Sequence, residues 1–162
     1  MSQARVILNS PIGPILLDAR DERLAAVTIL ASRDLPDARD SPSPLLREAR
    51  AQLAAWFEGR LTGFDLPLAE PRTPRGPAHR AAITAIGYGE TASYGAIARR
   101  LGSSPRAVGQ ACARNPLPIV IPCHRVLGAN DRIGHYSGGQ GIITKSWLLD
   151  HEKRHTARQK GR

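Results

Sequence analysis

The residues best suited to covalent chemistry lie in Pro122-Cys123-His124-Arg125-Val126. A thiolate is a strong, soft nucleophile, and its pKa falls when a base or a positive group stands nearby. His124 is a candidate for that base, directly or through a water, and a carboxylate such as Glu152 could orient its imidazole. Adjacent side chains in an extended segment diverge, so neighbouring positions alone do not bring Cys123 and His124 together. The plainer alternative is a buried structural cysteine. The other cysteine, Cys112, falls on a helical pattern and is expected to be packed. Spacings typical of zinc sites are absent and residues 1–78 contain no Cys or His, so no metal site is expected.

Cys123 must be held by the elements around it. Upstream, helical patterns cover about 78–86, 94–101 and 105–114, with Gly102 ending the second and Ser104-Pro105 opening the third. The run Tyr94 to Leu101, a short turn, then Arg106 to Ala111 has the order of a helix-turn-helix. Two helices also pack this way in many enzymes that never meet DNA. The second helix carries Ala107, Gly109, Ala111 and Ala113 where a major-groove reader would carry long polar side chains. A slim helix suits the minor groove, about 6 Å wide and poor in sequence information, and close helix packing would favour the same residues. Asn115 to Pro122 is apolar with three prolines, an ordered buried loop, not a central strand. Residues 127–141 hold five glycines in a flexible or tightly turned loop, and helical spacing returns over 142–153.

The N-terminal part reads differently. Apolar clusters at 6–8, 15–17 and 24–30, broken by Ser10-Pro11-Ile12-Gly13 and by Arg20-Asp21-Glu22-Arg23, predict a β-meander. Residues 31–43 form a loop, Leu46, Ala49, Leu53, Trp56 and Phe57 a helix ending at Gly59, and Thr62 to Leu66 one more strand. The proline-rich stretch 70–77 sustains neither helix nor sheet. The expected organisation is therefore an α/β N-terminal domain (1–69), a linker (70–77), a mostly α C-terminal domain with the helix-turn-helix (78–153), and a disordered basic tail (154–162).

Charge follows this division. The 162 residues carry a net +9; residues 1–75 hold ten Arg and ten acids, whereas residues 76–162 hold 13 Lys+Arg against Glu90, Asp131, Asp150 and Glu152. The whole excess lies in the second part, which points to a polyanion, most often nucleic acid. A solvated tail or a generally basic proteome would give a similar balance. No stretch has the roughly 18–20 apolar residues that a membrane span needs, and no secretory pattern opens the chain, so a cytoplasmic protein is expected.

Ile121-Pro122-Cys123-His124-Arg125-Val126, with Arg106-Ala107-Val108-Gly109 and Asn115-Pro116 upstream and Tyr136-Ser137-Gly138-Gly139 and Trp147-Leu148-Leu149-Asp150-His151-Glu152 downstream, closely resembles the O6-alkylguanine-DNA alkyltransferases. The resemblance covers about residues 86–153 in matching order; the N-terminal part is similar only in element order. It implies a monomer that binds duplex DNA in the minor groove, flips the damaged guanine and moves the alkyl group from O6 to cysteine in a single turnover. Cys123 would be the acceptor, His124 the water-bridged base and Glu152 the group orienting it. Arg106 would fill the gap left by the flipped base, and Ala107, Gly109 and Arg125 would also contact DNA. Tyr94 would press on the nucleotide's phosphate and give a proton or hydrogen bond to guanine, and Asn115 would couple the second helix to the cysteine loop. Ser137 would bond O6, Tyr136 would wall the pocket, and the carbonyls of Cys123 and Val126 would accept from the exocyclic amine.

Two departures from the family pattern stand out. Arg75-Gly76-Pro77-Ala78-His79-Arg80 replaces larger apolar anchors, with Gly87 in place of a proline, so this helix should pack loosely or turn His79 and Arg80 outward. The stretch Gly138 to Trp147 is longer than usual, which bears on the alkyl group accepted. Two other functions compete with transfer. A non-enzymatic lesion-binding protein of the alkyltransferase-like type commonly lacks the cysteine, and a sequence-specific regulator would need a less Ala/Gly-rich helix.

Overall fold

The computed structural model describes residues 3–31 and 43–160, and the chain divides into two compact units, Met1–Ala69 and Glu70–Arg162. Most of the 31–43 loop lies outside the described residues.

In the first unit β1 (Gln3–Ser10), β2 (Gly13–Arg20) and β3 (Arg23–Ile29) form an antiparallel sheet in the order β1-β2-β3. Asp21 and Glu22 both take positive φ, 49° and 62°, the two-residue turn whose twist matches a hairpin. α1 (Pro44–Phe57) starts at Ser43, whose Oγ accepts from the Leu46 amide, and packs Leu46, Ala49, Leu53 and Trp56 against the sheet. These four side chains are buried with Val6, Ile15, Leu17, Leu24 and Val27. The strand expected at Thr62 to Leu66 does not form. Pairing occurs just beyond it, where the Leu24 amide donates to Pro67 O and the Ala69 amide to Leu24 O. Pro67 can only accept in such a ladder, so the contact stays a single bridge.

The second unit contains α2 (Gly76–Thr84), β4 (Ala92–Ser93), α3 (Tyr94–Leu101), α4 (Pro105–Ala113), β5 (Val126–Leu127) and α5 (Ile142–Lys160). Ser93 and Ser104 cap α3 and α4, each accepting from the backbone amide three residues on, and Gly102 closes α3 in the left-handed conformation at φ 62°. β4 and β5 pair in parallel, Ala92 with Val126 and Ser93 with Leu127, which fixes the start of α3 beside the cysteine segment.

Two expectations are corrected here. His79 does not face outward: it is buried, with Nδ1 at 3.0 Å from Arg75 O and Nε2 at 3.5 Å from Ser103 Oγ. An imidazole thus takes an interior place on α2, between the preceding turn and the α3–α4 connection. Nor are residues 154–160 disordered, because α5 continues to Lys160; the last two positions of the expected tail lie outside the described residues. Thr156 Oγ donates to Glu152 O while its side chain closes against Gly89, leaving no space there for a Cβ. Among the described residues no helix is long and apolar enough to cross a membrane.

Candidate active site

The segment before Cys123 is held by one amide. Asn115 Oδ1 accepts from the Leu117 amide (3.0 Å), while Nδ2 donates to Ile121 O (3.0 Å) and to Cys123 Sγ (3.2 Å). Asn115 stands two residues beyond α4, so it joins that helix, the buried loop and the sulfur through one side chain. Leu117, Ile119, Val120 and Ile121 are buried, and Ile119 sits at φ 75°, a conformation β-branched residues rarely adopt. Such a residue costs on the order of 1–3 kcal/mol and persists only where its surroundings over-determine it.

Cys123 to Arg125 form a 3₁₀ turn, not an extended segment, so the divergence expected of neighbouring strand residues does not apply. Cys123 is 5% exposed. Burial pushes its thiol up, and the Asn115 hydrogen bond and the Lys145 charge oppose that rise. His124 and Glu152 are almost wholly buried and meet at 2.6 Å, Nε2–H donating to Oε2. Burial lowers the His124 pKa more than the carboxylate raises it, which keeps the imidazole neutral with Nδ1 as its basic nitrogen. For Glu152, burial alone would raise the pKa, but the hydrogen bonds from His124 and Arg125 and the Arg125 charge hold it at about 2.

Arg125 is a correction. It was expected to touch DNA, yet it is buried: Nε and Nη2 donate to Glu152, Nη1 donates to Ile86 O at 2.6 Å, and the guanidinium lies 5.7 Å from the centre of the Tyr88 ring. The Gly89 amide adds another donor to Glu152 Oε1. A rigid guanidinium fork thus anchors the carboxylate that holds His124.

A cavity of about 530 Å³ opens beside the sulfur, lined by Cys123, by Tyr94 at the start of α3, by Arg106, Gly109, Cys112 and Ala113 of α4, and by Tyr136 and Ser137 of the glycine-rich loop. That loop is tightly turned: the Gly141 amide donates to Gly138 O and the Gln140 amide to Thr144 Oγ. Burial raises the Tyr94 phenol to about 12, so it remains a donor at neutral pH. The Tyr136 hydroxyl is buried without a hydrogen-bond partner among the described residues, and exposed Ser137 Oγ lies 3.5 Å from Ala113 O. Exposed Arg106 stands at the first turn of α4. Ala107 shares that turn but does not line the cavity. The Val126 side chain is fully buried and does not line it either. Its carbonyl accepts from Lys145, and the Cys123 carbonyl accepts from the Val126 amide. Each carbonyl keeps a second lone pair for another donor.

Sequence reasoning missed Lys145 and Cys112 as parts of the site. Lys145 was detectable, since it precedes Leu148 by three and Glu152 by seven residues and therefore shares their buried helix face. Nothing in the sequence marks Cys112 as a wall of the cavity.

Residues 78–154 match the family model for the 6-O-methylguanine DNA methyltransferase DNA binding domain, and residues 5–69 that for the 6-O-methylguanine DNA methyltransferase ribonuclease-like domain. The methylated-DNA–protein-cysteine methyltransferase of Methanosarcina acetivorans is 42% identical, over 88% of this chain and 94% of that one. The chain belongs to the methylated-DNA–protein-cysteine methyltransferase family. The constitutive enzyme of that name from Bacillus subtilis is 37% identical, over 90% of this chain and 92% of its own. The crystal structure of Mycobacterium tuberculosis OGT in complex with DNA superposes with a TM-score of 0.80 at 37% identity, covering 94% of this chain and 93% of that one. Both units of this family member therefore have counterparts among its relatives.

Proposed function

We propose that this chain repairs duplex DNA by taking the alkyl group from O6 of a guanine onto Sγ of Cys123, once per molecule. The observation that carries this reading is the buried cysteine at a cavity wall, hydrogen-bonded by Asn115, with a neutral His124 set by Glu152 as the next residue. Sulfur forms a bond to the alkyl carbon as the bond from that carbon to O6 breaks, and the electron pair stays on guanine. The thiol proton passes through a water to His124, and the departing guanine takes a proton or hydrogen bond from Tyr94. Ser137 bonds O6 and Tyr136 walls the base. A thioether has no easy hydrolytic exit, so the protein is consumed and needs no cofactor.

Reaching O6 requires the base outside the stack, which costs a few kcal/mol. Arg106 fills the vacated place, while Ala107 and Gly109 let α4 approach the minor groove closely. The reading includes a monomeric protein working in the cytoplasm. Duplex carrying one O6-methylguanine, titrated against the protein, tests it. Lesion loss should stop at one per molecule. Continued turnover contradicts a consumed acceptor, and tight lesion binding with no lesion loss is the behaviour of a non-enzymatic lesion binder.

A further inference from the structure

Glu152 has two oxygens, and one of them serves His124. Oε2 accepts from His124 Nε2 at 2.6 Å and from Arg125 Nη2 at 2.9 Å, whereas Oε1 accepts from Arg125 Nε and from the Gly89 amide, both at 3.0 Å. The last torsion of a glutamate is broad and roughly two-fold, so a carboxylate keeps one oxygen on an imidazole only when the other oxygen is held as well. Arg125 Nε–H is shared between the two oxygens, lying 3.1 Å from Oε2. Among the described residues, the Gly89 amide is therefore the one donor that acts on Oε1 alone.

That amide is placed by a tight turn and by the far end of α5. The Glu90 amide donates to Gly87 O at 3.0 Å, and Gly89 is the third residue of the turn at φ 78°, where a type II turn calls for glycine. Just before the turn, Ile86 O accepts from Arg125 Nη1, so segment 86–89 grips both members of the Arg125–Glu152 pair. Thr156 lies one helical turn beyond Glu152. Its neighbours Lys153, Arg154, Ala157 and Arg158 are exposed, whereas its own side chain is turned inward. Its Oγ donates back to Glu152 O at 2.8 Å, a bond that selects its rotamer. In that rotamer Thr156 covers Gly89: a Cβ placed there would collide with Thr156 Oγ and stand 3.3 Å from its Cβ and 3.4 Å from its Cγ2. Beyond the turn the chain enters β4 and then α3, whose first residue is Tyr94 of the cavity.

We propose that Thr156 is a positioning residue for alkyl transfer: by closing on Gly89 it holds that amide on Oε1 of Glu152, which keeps Oε2 on His124. The last turns of α5 thereby serve the reaction. The proposal rests on the transfer reading, and its first test uses no DNA, so the two can fail separately.

Thr156→Ala removes the atoms that close on Gly89. Alanine is the better helix former, so a changed site cannot be ascribed to a melted α5. Thr156→Ser keeps Oγ and serves as the conservative variant. The His124 Nε2 proton lies in a 2.6 Å bond to a buried carboxylate, and in ¹⁵N-histidine-labelled protein it should resonate far downfield of ordinary imidazole protons. In Thr156→Ala this resonance should move upfield or broaden through exchange with water; in Thr156→Ser it should keep its wild-type position. A resonance that Thr156→Ala leaves in place overturns the proposal. The second measurement is single-turnover transfer from saturating duplex that carries O6-methylguanine. The rate should fall about tenfold in Thr156→Ala, with duplex Kd unchanged, and return in Thr156→Ser. An unchanged rate in Thr156→Ala, or a loss that serine does not restore, is equally decisive against it. Wild-type protein that transfers nothing contradicts the transfer reading instead, and the resonance still judges the contact of Thr156 with Gly89.

Discussion

Glu152 accepts from His124, Arg125 and the Gly89 amide while almost wholly buried, so its charge matters more than its shape. Glu152→Gln should leave a buried guanidinium without its anion and cost about 3–5 kcal/mol, read as a fall in the urea midpoint. The same cluster sets the response to acid. Because the folded state depresses the Glu152 pKa from 4.5 to about 2, its stabilisation is complete above 4.5 and is lost as pH falls toward 2. His124, lowered from 6.5, adds a loss that begins as pH drops below 6.5, where the unfolded chain takes up a proton first. Unfolding midpoints measured down this range should fall in both windows; a flat profile contradicts an ionised Glu152 beneath a neutral His124. At the cavity, Tyr94→Phe keeps the ring and loses the donor, so single-turnover transfer should slow on the order of 10²-fold with DNA affinity little changed. Cys123, His124 and Glu152 could be singled out in the sequence because their types suit one chemistry. The destination of Arg125 could not, since an arginine beside a histidine reads equally as a DNA contact or a buried anchor.

At the scale of elements, caps and breakers carried most of the legible signal. Ser104-Pro105 and Gly102 bound α4 and α3 where their chemistry requires, while the Ser93 cap of α3 was not read from the sequence. The β-meander followed from its two turns. The missed features depend on contacts distant in sequence: the 67–69 bridge needs Leu24 opposite it, and the last turns of α5 need Gly89 to receive Thr156. Gly109 is the most informative single position on α4. A Cβ there meets nothing within 4 Å, so Gly109→Ala should stabilise the helix by about 0.5–1 kcal/mol. If α4 approaches a duplex closely, the same methyl group should weaken duplex binding. A higher Tm with a weaker Kd is expected; a higher Tm with unchanged Kd would place the duplex elsewhere.

Over the whole molecule, charge and chemistry share one unit: the +9 excess lies beyond residue 75, with the cavity, the acceptor and the thiolate-setting groups. Duplex affinity should therefore fall steeply with salt, with a slope of about 0.9 per phosphate neutralised. The rate of thiol labelling at Cys123 should vary far less, because its neighbours are buried. The central claim is the identity of the acceptor atom. Mixing the protein with duplex carrying one O6-methylguanine, then measuring intact mass and mapping peptides, tests it most directly. A single added methyl on the Cys123 peptide, absent in Cys123→Ala, is the predicted result; a methyl on Cys112, or unmodified protein after the lesion has disappeared, would contradict it.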